Sequence, residues 1–102
     1  MAVEMLVGLN VIDDAAYQAY RDEMSPLLEA HGGGFGYDFR VSEVLLSVTD
    51  APINRVFTIF FASDAARQAF FSNTDYLSIK RNYFDKSVGD TTVIATYENQ
   101  MK

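Results

Sequence analysis

The apolar positions of this chain change their period several times, and each change marks an element. Val3, Met5, Val7, Leu9 and Val11 recur at every second residue, with Leu6 and Gly8 on the opposite row, which predicts a first strand over Val3–Val11. Asp13 follows as an N-cap, because its carboxylate can accept from the amides left free in the first turn of a helix. From Asp14 to about Ala30 the spacing lengthens to three and four, and Tyr17, Tyr20, Met24, Leu27 and Leu28 form one helical stripe. Pro26 lacks an amide donor and disfavours helix at the residue before it. The reading is a kink, or a restart with Ser25 as cap and Pro26 at the first helical position. His31-Gly32-Gly33-Gly34 then stops the helix, since glycine tolerates the left-handed backbone of a C-cap.

Period two returns at Phe35. Phe35, Tyr37, Phe39 and Val41 share one row, and Gly36, Asp38, Arg40 and Ser42 the other. After Glu43 the apolar row changes phase to Val44, Leu46 and Val48. One extra residue near Ser42-Glu43 would cause this, so the pattern predicts a bulge or bend there, or a break into two shorter strands. Thr49-Asp50-Ala51-Pro52 reads as a turn. In Arg55–Phe61 both rows are apolar, with Phe57, Ile59 and Phe61 on one and Val56, Thr58 and Phe60 on the other, so both faces of this strand need cover. Ser63 caps a helix from Asp64 to about Phe71, with Ala66, Ala69 and Phe70 inward. Ser72-Asn73-Thr74 interrupts it. A second helical piece, Asp75 to about Asp85, carries Tyr76, Leu77, Ile79, Tyr83 and Phe84, with Thr74 or Asp75 as its cap. Gly89-Asp90 turns the chain into a last strand, Thr91–Tyr97.

The order is β-α-β-β-α-β. With right-handed crossovers it gives an α+β, ferredoxin-like fold: a four-stranded antiparallel sheet with both helices on one face. Residues 1–98 form this single domain, and 99–102 are a short C-terminal tail. Two helices cover one face only. The helix-free face carries large apolar side chains, too many to leave in water, and the simplest cover is a second copy of the same sheet. The expected partner is therefore the chain itself, as a homodimer through the helix-free face. The alternative is an open face that takes a peptide or a hydrophobic ligand.

Composition narrows the functions. Of 102 residues 49% are apolar and 14% aromatic, which excludes a disordered chain. With no cysteine, disulfides, thiol chemistry and thiolate metal sites are excluded. A net charge of −6 opposes nucleic-acid binding, which needs a basic face against phosphates. The N-terminus has no basic region and its apolar run ends at Asn10, and no stretch reaches the roughly 20 apolar residues of a membrane span, so the expected location is cytoplasmic, with no membrane partner.

Few residues could carry chemistry. His31 is the only histidine; it suits acid–base work near neutral pH, although at a helix C-terminus it is also a cap. Asp38 and Arg40, two residues apart on one strand face, could pair at the mouth of a pocket or be a solvated edge. Glu43 sits at the expected bulge, where side chains are often re-aimed toward sites. His31, Asp38 and Glu43 are the candidate catalytic groups. Arg40, Tyr37, Tyr76 and Tyr83 are the candidate ligand-binding residues, the tyrosines offering apolar bodies with polar tips. Lys80 and Arg81 read as surface charges that could steer an acidic ligand to a pocket rim. A lone histidine without cysteine makes no metal site, and no cofactor is expected. Gly32-Gly33-Gly34 lies between a helix and a strand, the wrong context for a phosphate loop.

The run Ala30-His31-Gly32-Gly33, the strand Arg55–Phe61, the segment Ser63-Asp64-Ala65-Ala66-Arg67 and the stretch Asn73–Lys80 together resemble the domain-of-unknown-function family 1330 over roughly residues 3 to 97. That resemblance implies the dimeric α+β barrel superfamily, in which two ferredoxin-like sheets close into a barrel across a dimer. The superfamily includes cofactor-independent monooxygenases, isomerases, stress-response proteins and haem-handling proteins. The expectation is a small homodimer that binds a small, largely apolar ligand between sheet and helices. A cofactor-independent monooxygenase or isomerase, and a non-catalytic stress-response or interaction dimer, are the alternatives.

Overall fold

The chain folds into two layers in a computed structural model that describes residues Ala2–Asn99. In chain order they are strand β1 (Ala2–Val11), helix α1 (Asp14–Ala30), strands β2 (Gly34–Arg40) and β3 (Arg55–Phe61), helices α2 (Asp64–Ser72) and α3 (Thr74–Ile79), and strand β4 (Val88–Asn99). Between α3 and β4 the helix runs on through a π-helical turn, Lys80–Phe84, and a short last turn, Asp85–Ser87. The sheet order is β2-β3-β1-β4 and every pairing is antiparallel, as the β-α-β-β-α-β pattern predicts.

The period-two rows set the two faces. Met5, Val7, Leu9 and Val11 of β1 and Phe57, Ile59 and Phe61 of β3 turn toward the helices, where Tyr17, Tyr20, Met24 and Leu28 of α1 and Phe70 and Tyr76 close the core. Phe61 and Phe70 are fully buried, each worth about 1.5–3 kcal/mol in apolar surface removed from water. Ala66 packs against the core, whereas Ala69, expected inward, is exposed.

The helix ends form by the expected means. The Asp13 carboxylate accepts from the Ala16 amide at 3.0 Å, and the Ser63 hydroxyl accepts from the Ala66 amide at 3.0 Å. Gly32 takes φ 77°, the left-handed backbone that only glycine adopts freely, while the His31 and Gly32 amides close back onto the α1 carbonyls. Two expectations at helix ends are corrected. Helix α1 passes through Pro26 without a restart, and the Ser25 hydroxyl caps nothing: it donates to the Arg21 carbonyl at 2.6 Å. The cap of α3 is Asn73 rather than Thr74 or Asp75; its side-chain oxygen accepts from the Asp75 and Tyr76 amides at 2.9 and 3.1 Å.

The larger corrections are in β2 and after it. The bulge lies between Phe35 and Asp38, not at Ser42-Glu43: Phe35 pairs with Ile59 and Asp38 with Phe57. One residue of slip reverses every side chain beyond it. Asp38 therefore turns toward the helices, while Phe39, opposite Val56, turns to the helix-free face with Tyr37 stacked on it at 5.8 Å. The Tyr37 amide, displaced from the ladder, donates to the Thr58 hydroxyl at 2.8 Å. Beyond Arg40 no strand forms over Val44, Leu46 and Val48; these side chains project into solvent, Leu46 at 91% exposure. Strand β3 starts only at Arg55, so this stretch has no partner to pair with. Its base is closed by the Val41 amide on the Asn54 carbonyl at 2.9 Å and the Asn54 amide on the Leu9 carbonyl at 2.8 Å. Ile53 folds back over the helix-free face, close enough to Gly8 that a Cβ there would stand 2.9 Å from its side chain. Strand β4 is longer than predicted. It absorbs Gly89-Asp90, expected as a turn, and Asn99, expected in the tail, with register shifts opposite Leu6/Val7 and Asn10/Val11. The rest of the expected tail lies outside the described residues. No helix among the described residues is long and apolar enough to cross a membrane.

Candidate functional site

Between the sheet and the helices lies a cavity of about 510 Å³. Its floor is the inward row of the sheet: Met5, Val7 and Leu9 of β1, Phe57 and Ile59 of β3, and Val93 of β4. Its roof comes from the α1 stripe, through Tyr17, Tyr20 and Met24, and from Tyr76 and Leu77 of α3 and Phe84 of the π-helical turn. The lining is dominated by aromatic and aliphatic side chains, which is the composition of small-molecule sites. A π-helical turn, the local irregularity often found at sites, supplies Lys80 and Phe84.

Polar groups in the lining are few. The Tyr20 and Tyr76 hydroxyls bond each other at 2.9 Å. The Tyr17 hydroxyl accepts from Arg21 Nε–H at 2.8 Å. Burial pushes the hydroxyl pKa of all three tyrosines up, for Tyr20 together with the neighbouring Tyr76 hydroxyl, so they stay protonated at neutral pH. Lys80 reaches Asp85 at 2.9 Å across the Phe84 ring.

Beside the cavity, on the same helix-covered side of the sheet, is an ionic cluster. Asp38 accepts from Arg55 Nε–H and Nη2–H, each at 2.8 Å, and from Arg21 Nη1–H at 3.3 Å. The Arg21 guanidinium lies 3.8 Å from the Phe35 ring centre and 4.7 Å from that of Phe57, and its buried Nη2 has no hydrogen-bond partner among the described residues. The Arg55 hydrogen bonds hold the Asp38 carboxyl below its ordinary pKa, and the same bonds raise that of Arg55.

Of the residues singled out in the sequence, Tyr76 and Lys80 line the cavity and the others do not. His31 caps α1: its Nδ1 lies 2.9 Å from the Leu27 carbonyl, which can only accept, and its ring stands edge-on to Phe70. Asp38 and Arg40 do not pair. The bulge turns Asp38 to Arg21 and Arg55, while Arg40 reaches Asp14 at 3.5 Å with both side chains largely exposed. Glu43 is exposed in the irregular segment. Tyr37 is exposed on the helix-free face, and Tyr83 packs against the core beneath the Lys86 ammonium without lining the cavity. No group of three or more potential metal-ligating side chains occurs among the described residues. Sequence reading passed over Tyr17, Tyr20 and Arg21 as site residues. Arg21 did carry a signal: it stands four residues after Tyr17 and three before Met24, a charge inside the apolar stripe.

No family model matches the chain, and no curated protein matches it. Solved structures share its fold. A protein of unknown function from Rhodopseudomonas palustris superposes with a TM-score of 0.81 at 19% identity, covering 96% of this chain and 82% of that one. A Dabb family protein with a ferredoxin-like fold from Mesorhizobium loti does so with a TM-score of 0.68 at 16% identity, covering 96% of both chains. A dimeric ferredoxin-like protein of unknown function from Thermobifida fusca gives a TM-score of 0.62 at 10% identity, covering 97% of this chain and 92% of that one. At these identities the likeness establishes the α+β ferredoxin-like fold.

Proposed function

We propose that this chain is a small-molecule binding protein of the cytoplasm that works as a homodimer, each protomer holding a small, largely apolar ligand between its sheet and its helices. The cavity of about 510 Å³ carries this reading, because its size and its apolar lining with few polar groups match those of sites for drug-sized molecules. Binding is favoured over catalysis by the lining itself. His31, Asp38 and Glu43, the candidate bases, are not part of it, and its tyrosines stay protonated. The dimer is supported by the helix-free face, where Tyr37, Phe39 and Tyr97 are exposed, and by the description of the Thermobifida fusca protein as dimeric. The fold measures 33 × 30 × 18 Å, so its broad face has room for the roughly 800 Å² per partner of a stable interface. The resemblance to the domain-of-unknown-function family 1330, which no family model bears out, bears on the dimer alone.

Titration with the neutral fluorescent probe N-phenyl-1-naphthylamine tests the cavity. Saturable enhancement is expected, weakened at least tenfold by Leu77→Trp, which puts a large ring at the cavity lining. No enhancement in the unsubstituted protein would overturn the binding reading. Light scattering after size exclusion tests the assembly: the expected mass is twice the 11.4 kDa of one chain, falling to one chain in the double variant Tyr37→Asp, Phe39→Asp. A monomer at micromolar concentration would overturn the dimer.

A further inference from the structure

The Tyr20–Tyr76 contact leaves a proton unused. Two hydroxyls carry two protons, and the 2.9 Å bond between them takes one. Whichever tyrosine accepts that bond still has its own O–H to place. No acceptor for it is found among the described residues, although Tyr20 and Tyr76 are only 5% and 4% exposed. Their surroundings offer rings instead: Phe84 stands 5.0 Å from Tyr20, and Phe70 and Phe71 stand 4.4 and 5.5 Å from Tyr76. A buried donor without an acceptor destabilises the fold, and an occupant bringing an oxygen to the pair removes that cost.

The lining also decides the kind of oxygen. Lys80, the cation in the lining, is bonded to Asp85, and a carboxylate buried against the tyrosines would lack a counter-ion of its own. A neutral carbonyl accepts one hydrogen bond and carries no charge to desolvate. The rings of Phe35, Phe57, Phe71 and Phe84 line the same space and favour a flat skeleton.

We propose that the ligand is a flat, apolar molecule with a neutral carbonyl oxygen, a ketone or ester, which accepts a hydrogen bond from the Tyr20–Tyr76 hydroxyl pair. This rests on the reading of the cavity as a ligand site and names the chemistry it selects.

Fluorenone and fluorene test it, since they share a ring skeleton and differ in a carbonyl against a methylene. Dissociation constants are measured by equilibrium dialysis for the unsubstituted protein, Tyr20→Phe, Tyr76→Phe and the double variant. Fluorenone is expected to bind at least tenfold tighter than fluorene to the unsubstituted protein. Each single variant keeps one hydroxyl with a free proton and so keeps the preference, whereas the double variant loses it. The infrared carbonyl stretch of bound fluorenone gives a second readout that needs no variant, and it is expected at lower wavenumber than in an alkane solvent. Equal binding of the two compounds, or an unshifted carbonyl stretch, overturns the inference and leaves the cavity reading standing. If neither compound binds while N-phenyl-1-naphthylamine does, the inference again falls alone. If nothing binds, the cavity reading falls with it.

Discussion

Replacing Asp38 with alanine tests whether this carboxylate is part of the frame of the protein. In the fold it accepts two 2.8 Å hydrogen bonds from Arg55 and one of 3.3 Å from Arg21. A hydrogen bond to a charged group is worth about 1.5–3 kcal/mol, and breaking a fully buried ion pair costs about 3–5 kcal/mol. Exposed pairs are worth about 0–1 kcal/mol. Asp38 lies between these limits, because its side chain is 32% exposed while that of Arg21 is 10% exposed. Asp38→Ala also strips the last carboxylate from a guanidinium whose Nη2 already lacks a partner. After discounting for solvent screening, the expected loss is about 2 kcal/mol, or roughly 8–16 °C in melting temperature for a domain of this size. The pH dependence follows from the depressed pKa of Asp38. A carboxyl held below its unfolded value of about 3.9 adds stability that is fully present above that value and disappears as pH falls through the folded pKa. Urea unfolding followed by circular dichroism, at one protomer concentration, should show a constant gap between the two proteins from pH 7 to about 5 that closes in acid. A gap under about 0.5 kcal/mol at pH 7, the range of ordinary surface changes, would refute the reasoning, and so would a gap that persists unchanged far below pH 3.

Two further changes probe the rest of the frame. Phe70 is fully buried against Phe61, Phe71 and Tyr76, so Phe70→Ala should cost about 3–5 kcal/mol in urea unfolding, and a loss below 1 kcal/mol would mean that α2 is not packed as described. Gly32→Ala places a side chain at φ 77° with its Cβ 3.1 Å from that of Ala62, and should lower stability by about 1–2 kcal/mol; an unchanged or raised melting temperature would contradict the C-cap geometry.

The parts of the fold that the sequence made legible are those where one local rule acts alone. Alternation along β1 and β3 named the inward rows, and three- and four-residue spacing named the α1 stripe. Asp13, Ser63 and Gly32 each bond or turn within a few residues of themselves, so the ends of α1 and the start of α2 could be placed. Asn73 was missed as a cap because Thr74 and Asp75, both good caps, follow it directly. Pro26 was over-read: it occupies an exposed position of a helix whose other side is anchored by Met24 and Leu28, and that packing outweighs one missing amide bond.

The site was less legible because it depends on parity, which a single bulge inverts. Read as an unbroken strand, Phe35 to Val41 puts Phe35 with Tyr37 and Phe39, and Asp38 with Arg40. The slip after Phe35 sends Phe35 and Asp38 to the helix side and Tyr37 and Phe39 to the other. Alternation signals a bulge only where it breaks the apolar row; it does so at Glu43, where no strand forms. Here both rows beyond Phe35 contain residues that fit either face of an edge strand. The same slip assigns the aromatic pair to the helix-free face, which strengthens the case for cover there, and brings Asp38 to Arg21, which removes it from the residues free to act as a base. Tyr20 and Tyr76 pose the opposite problem. Each is readable alone as an inward position, but they stand 56 residues apart, and their bond exists only once α1 and α3 are laid on one sheet. A lone inward tyrosine is a core residue with a polar tip. Two of them with one proton left over are a donor awaiting an acceptor, a property that belongs to the packing of the two helices and to neither segment of sequence.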